Sequence, residues 1–156
     1  MVLATMSKII ESRNALSQSE QTFLRWLTWI GFVPAMFSVI LQMNSVHGGF
    51  LTNYLADLAG PIWCYGTIRQ KKTLFKKVLS KVSTPGFAAI FVFLVGTSWE
   101  VCQAIDFSGT PLGITRGRFD PLDIVAFAVS LAACYAADKI FAHKINLAQE
   151  RTSSRT

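Results

Sequence analysis

Four apolar stretches, each about as long as a bilayer is thick, constrain this chain more than any other feature, and acidic residues lie inside them or at their mouths. A helix rises about 1.5 Å per residue, so crossing a hydrocarbon core of ~30 Å takes about 20 mostly apolar residues. Residues 22–43, 50–68, 85–105 and 121–142 meet that requirement. Hydrophobic residues make up 51% of the 156-residue chain and charged residues 15%, well under the roughly one quarter usual in a soluble domain. The apolar content is bunched and not periodic, which points to lipid as the solvent. The expected fold class is all-α: a four-helix transmembrane bundle over residues 22–148, preceded by a cytoplasmic segment (1–21) and followed by a disordered polar tail (149–156). Residues 1–21 hold Lys8, Glu11, Arg13 and Glu20 with only short apolar runs. They do not read as a cleavable signal, and the first long stretch exceeds a signal core.

The stretches carry helix-end signals. Ser17 with Glu20 fits a capping box ahead of the first span. Thr84–Pro85 and Asp120–Pro121 each place a capping side chain before a proline at the first helical position, where the missing N–H costs nothing. Trp26, Trp29 and Tyr54 fit interfacial aromatic belts. Pro34 and Pro61 lie inside spans and should kink them, and Pro61 frees the carbonyl of Asp57.

Thirteen of the 15 Lys and Arg residues fall on the side that holds both tails and the loop 69–84, leaving only Arg116 and Arg118 opposite. The positive-inside rule then places both termini in the cytoplasm. The same bias accounts for a pI near 9.5 without nucleic acid as a partner. Within the loop, Leu74, Phe75, Val78, Leu79 and Val82 repeat at helical spacing between Lys71, Lys72, Lys76, Lys77 and Lys81. That pattern predicts a short basic amphipathic helix between the second and third spans, lying on the inner leaflet and attracted to its anionic lipids.

Ionisable side chains at membrane depth are costly and mark functional sites by default. Counting from the outer helix ends, Asp57 lies roughly 10 Å inward on the second span, Glu100 roughly 8 Å inward on the third and Asp123 about one turn into the fourth. Asn53 sits one turn above Asp57 on the same face, and Gln103 one turn above Glu100. The loop that closes over them carries Asp106, Arg116, Arg118 and Asp120. Three helices thus offer carboxyl groups at one depth beneath two guanidinium groups, which suit bidentate capture of an anion. The candidate ligand-binding set is Asn53, Asp57, Glu100, Gln103, Arg116, Arg118, Asp120 and Asp123. Asp120 and Asp123 have a competing reading as a cap and a first-turn acid, and Arg118 as a structural ion-pair partner. Asp57 and Glu100 have no capping role.

Other residues read as architecture. Cys64, Cys102 and Cys134 are far apart within apolar stretches, and His47 and His143 are isolated. They support no disulfide, metal site or nucleophilic triad, and no cofactor is expected. Trp99, Phe91 and Phe93 read as lipid-facing or packing residues. Ala126, Ser130, Ala133 and Ala137 form a small-residue stripe that would let another helix approach.

The residues Glu100-x-x-Gln103, followed by Gly117-Arg118-Phe119-Asp120-x-x-Asp123-Ile124, resemble the VanZ-like family of small polytopic membrane proteins. The chain differs from that pattern at Phe127 and Ser130 and in having no His within 50–68. The resemblance implies a bundle of about four spans, a shared polar cluster of Glu100, Gln103, Arg118 and Asp123 at the outer face, a bacterial inner membrane and a cell-envelope role.

The leading expectation is an outer-leaflet polar pocket that binds an envelope lipid or a cell-wall-related anionic head group. One alternative is a membrane-embedded enzyme with Glu100 as base, Asp123 or Asp57 as its partner carboxyl and Arg118 as anion clamp. Another is a non-catalytic partner or immunity-type subunit of a second membrane protein. Ion transport is disfavoured, because the inner half shows no matching polar residues apart from Asp138.

Overall fold

The computed structural model describes residues 2–44, 49–70, 84–104 and 120–153, with side chains described for 18–44, 49, 54–70, 84–102, 120–148 and 150–151. It contains four helices, α1 (Val2–Met43), α2 (Phe50–Gln70), α3 (Pro85–Ala104) and α4 (Pro121–Ser153), and no strand among the described residues. Three segments are long and apolar enough to cross a membrane: Gln18–Met43, Pro85–Cys102 and Pro121–Ala148. These are compatible with an integral membrane protein. The predicted interfacial helix falls within residues 71–83, outside the described residues.

The helices begin where their local chemistry directs. Asp120 caps α4: its Oδ1 accepts from the Leu122 backbone N–H at 2.9 Å, and its carbonyl accepts from Asp123 N–H at 3.0 Å. Pro121 then occupies a first-turn position that needs no donor. The Thr84 carbonyl accepts from Ala88 N–H at 2.9 Å at the start of α3. Gly49 adopts a φ of 72° just before α2, the left-handed region that glycine enters without a Cβ penalty.

Two expected boundaries are displaced. The capping box at Ser17 and Glu20 does not form, because α1 runs unbroken from Val2 through both residues. α4 likewise continues past Ala142 to Ser153, so residues 149–153, expected in the disordered tail, are helical. Once a helix is nucleated each added residue contributes one more hydrogen bond, so a weak polar end is readily carried along. Both Pro34 and Pro61 lie inside continuous helices.

α1 packs most intimately on α2, and two glycines allow it. A methyl group on Gly31 of α1 would lie 2.7 Å from the Ala59 carbonyl oxygen and 2.8 Å from Trp63 Cα. A methyl group on Gly66 of α2 would lie 3.0 Å from the Thr28 backbone nitrogen. Each helix therefore presses its backbone into a gap the other leaves open, the mode of association on which membrane helices rely. Phe32 sits edge-on to Trp63 with ring centroids 5.4 Å apart. At the other flank Gly96 of α3 receives the ring of Phe127 from α4, 2.7 Å from where a Cβ would stand.

The buried core lies between α2, α3 and α4, and consists of Tyr65, Ala88, Val92, Leu131 and Cys134, with Leu27, Ile62 and Phe93 against it. Large apolar side chains also face outward, including Trp26, Trp29, Phe37, Leu94, Trp99 and Val129. For a water-soluble protein such a surface would be an aggregation hazard, whereas lipid accommodates it. Of the small-residue stripe on α4, Ser130 is buried, Ala126 and Ala137 are half-buried and Ala133 is exposed.

Candidate functional site

The bundle has two polar layers, one at each end. α2 and α4 contribute to both and run in the same direction, so each layer pairs the matching ends of these two helices. The layers are about 18–22 Å apart, from Asp57 to Arg69 on α2 and from Asp123 to Asp138 on α4. The apolar core separates them.

The first layer is acidic. It joins Tyr54 and Asp57 near the start of α2, Glu100 near the end of α3, and Asp120 and Asp123 at the start of α4. All four carboxyl groups lie within electrostatic reach of one another. Asp57 on α2 and Asp123 on α4 are neighbours in this layer, each within electrostatic reach of the other. Tyr54 donates its hydroxyl to Asp120 Oδ2 at 2.9 Å. Tyr54 is half-buried, and its ring near the start of α2 directs its hydroxyl to the cap of α4.

Glu100 is the most enclosed member, with 3% of its surface exposed. The start of α4 at Asp120 lies within electrostatic reach of it. The Glu100 Oε2 atom is sealed from solvent and has no hydrogen-bond partner. Asp120 therefore has two roles, as cap of α4 and as acceptor for Tyr54.

Of the eight residues singled out from the sequence, the structure brings together Asp57, Glu100, Asp120 and Asp123. The side chains of Asn53 and Gln103 lie outside the described residues, as do Arg116 and Arg118 altogether. Among the described residues, no group of three His, Cys, Asp or Glu side chains is arranged to hold a metal ion.

Sequence reasoning missed the second layer. Arg69, at the end of α2, is 4% exposed and grips Asp138 of α4, itself 2% exposed, through two hydrogen bonds: Nε to Oδ2 at 2.7 Å and Nη2 to Oδ1 at 3.1 Å. Tyr65, fully buried one turn before Arg69, donates to the same Oδ2 at 2.7 Å. Arg69 Nη2 also reaches Glu20 Oε1 on α1 at 3.1 Å. Beside this cluster, Gln70 donates to the Leu24 carbonyl at 3.0 Å and to the Thr28 hydroxyl. Asp138 is therefore not an isolated inner acid, and Arg69 is not a loop cation: three helices converge on one charge-balanced knot. The signal was available in the spacing. Tyr54–Asp120 and Asp57–Asp123 are both 66 residues apart and Arg69–Asp138 is 69 apart, one parallel register along the whole of α2 and α4.

The three cysteines are free: Cys134 is buried, Cys102 half-buried and Cys64 exposed. Trp99 and Phe91 face outward, while Phe93 packs on the core.

The chain matches no family model, and no curated protein or solved structure matches it.

Proposed function

We propose that this chain is a four-span protein of the bacterial inner membrane, with both termini cytoplasmic, whose acidic end forms an outer-leaflet pocket for the head group of an envelope lipid or a related cell-wall precursor. The assembly of four carboxyl groups from three helices at one end of an apolar bundle is the observation that carries this reading. A group of like charges held in a poorly solvated place opposes folding, so a use beyond stability is the economical account of it.

α2 serves as the fourth crossing in this reading. Its 21 residues span about 31 Å, and its Asp57 and Arg69 meet partners from flanking helices that are themselves long and apolar enough to cross. The distribution of Lys and Arg supports the orientation. Arg116 and Arg118, in the segment that joins α3 to α4, would take the phosphate or carboxylate of the head group. Lys71, Lys72, Lys76, Lys77 and Lys81 would rest on the anionic inner leaflet. The VanZ-like resemblance of Glu100-x-x-Gln103 and the segment from Gly117 to Ile124 agrees with an envelope role.

The test is mass spectrometry of lipids that co-purify with the wild-type protein and with Arg118→Ala. The expected result is a lipid class enriched on the wild type and depleted on the variant. Identical lipid profiles would sink the proposal.

A second reading, as the partner subunit of another membrane protein, is favoured by one observation. α3 and α4 leave an outward groove floored by small residues, Gly86, Ala89, Ala128 and Ala132, between Phe93 and Tyr135, and grooves of this kind admit a further helix. A stoichiometric protein retained through purification in mild detergent would favour it over head-group binding.

A further inference from the structure

We propose that the acidic end recognises an ammonium group, so that the head group it takes is an aminated one, with Glu100 Oε2 as the acceptor that singles it out. This rests on the head-group reading above and deepens it.

Glu100 Oε2 lies inside the protein on a residue that is 97% covered, with the α4 acids within electrostatic reach of its carboxyl and no hydrogen-bond partner of its own. A buried acceptor left unpaired is costly, and a carboxylate oxygen more so than a neutral one. For an ionised Glu100 the partner that oxygen calls for is a hydrogen-bond donor. One turn inward on the same side of α3, the hydroxyl oxygen of Thr97 is also sealed from solvent and unpartnered. Two adjacent sealed oxygens on one helix face, in the layer of Asp57 and Asp123, suit a compact group with several N–H or O–H donors.

Charge selects among such groups. The described members of this layer are all acids apart from Tyr54 and Thr97, so a cation is favoured over a neutral hydroxyl. A metal ion would need several oxygens converging at about 2.0–2.6 Å, and no trio of described acids does so. An ammonium group carries three donors that reach separate acceptors at about 2.7–2.9 Å each, which is compatible with carboxyls spread over three helices.

The experiment presents the purified full chain, in mixed lipid–detergent micelles, with phosphatidylethanolamine, its trimethylated counterpart phosphatidylcholine, and phosphatidylglycerol. Retention is read by native mass spectrometry. Phosphatidylcholine keeps the positive charge and removes every N–H. Wild type is expected to retain phosphatidylethanolamine about tenfold over either of the others, the ratio that loss of a single charge-assisted hydrogen bond produces. Glu100→Gln should collapse that preference, and Thr97→Val, a second variant of nearly constant shape, should narrow it. Equal retention of phosphatidylethanolamine and phosphatidylcholine by the wild type, or preference for phosphatidylglycerol, would overturn the ammonium assignment while leaving head-group binding in place. Free ethanolamine is the remaining arm. If it competes as well as the lipid does, ammonium recognition holds and the lipid reading falls; if neither is retained, both fall.

Discussion

At one end of the bundle α2 and α4 meet through Arg69 and Asp138, and at the other through Asp57 and Asp123. The same two helices, in the same parallel register, are joined by opposite charges in one place and by two acids in the other. At the paired end each charged group of the knot has its complement, although the Thr67 hydroxyl beside it is sealed without a partner: Arg69 is shared between Asp138 and Glu20, and Tyr65 completes the Asp138 carboxylate. At the acidic end the acids stand within reach of one another with one tyrosine donating among them, and one carboxyl oxygen is left without a partner. The contrast separates two uses of buried polarity. A balanced layer fixes the register of helices. An unbalanced one is maintained against its own repulsion, as expected of a site whose missing complement arrives from outside.

The comparison can be broken most easily at the paired end. Asp138→Ala leaves the Arg69 guanidinium buried without its main partner and should lower stability by about 3–5 kcal/mol, measured by reversible unfolding in mixed micelles. A loss under about 1 kcal/mol would mean that the layer is solvated and not structural. Next in size is Tyr65→Phe, which removes a hydrogen bond to a buried carboxylate and should cost about 1.5–3 kcal/mol. Tyr54→Phe makes the same change at the acidic end, where the tyrosine lies nearer the surface. It should cost clearly less than Tyr65→Phe in the same assay, and an equal loss would erase the distinction between the layers. The smallest effect on stability is expected for Asp57→Asn. The amide keeps the shape of the side chain and removes one acid from the group, so stability should stay within about 0.5 kcal/mol of wild type while retention of the head group falls. A large destabilisation by Asp57→Asn would make the acidic end structural too.

The sequence revealed the acidic end and concealed the paired one for the same reason. Carboxyl groups at Asp57, Glu100 and Asp123 stand out because nothing near them in sequence explains them. Arg69 has an explanation ready at hand: it stands beside a run of lysines and reads as the first of them. Asp138 neighbours Lys139, which suggests a local pair, yet Lys139 turns to the ring of Tyr135, 5.7 Å from its centroid. Partners 69 residues apart become visible only once two helices are known to be parallel. The extent of the helices was also underestimated. Capping residues such as Ser17 report where a helix is able to begin, and continuing an existing helix through them is cheaper than stopping. Glu20 illustrates the consequence, leaving its expected backbone partner for Arg69 on α2.

The two junctions between α2 and α4 work like a pair of dowels set about 20 Å apart. Sliding one helix along the other by a single residue, or turning it about its axis, would pull both dowels out together. α3 is held differently: Glu100 meets the start of α4 at the acidic end itself, and Ala88, Val92 and Phe93 pack it into the apolar core. Any guest that enters between the acids would therefore wedge α3 outward and leave the doweled pair standing as the fixed wall of the opening.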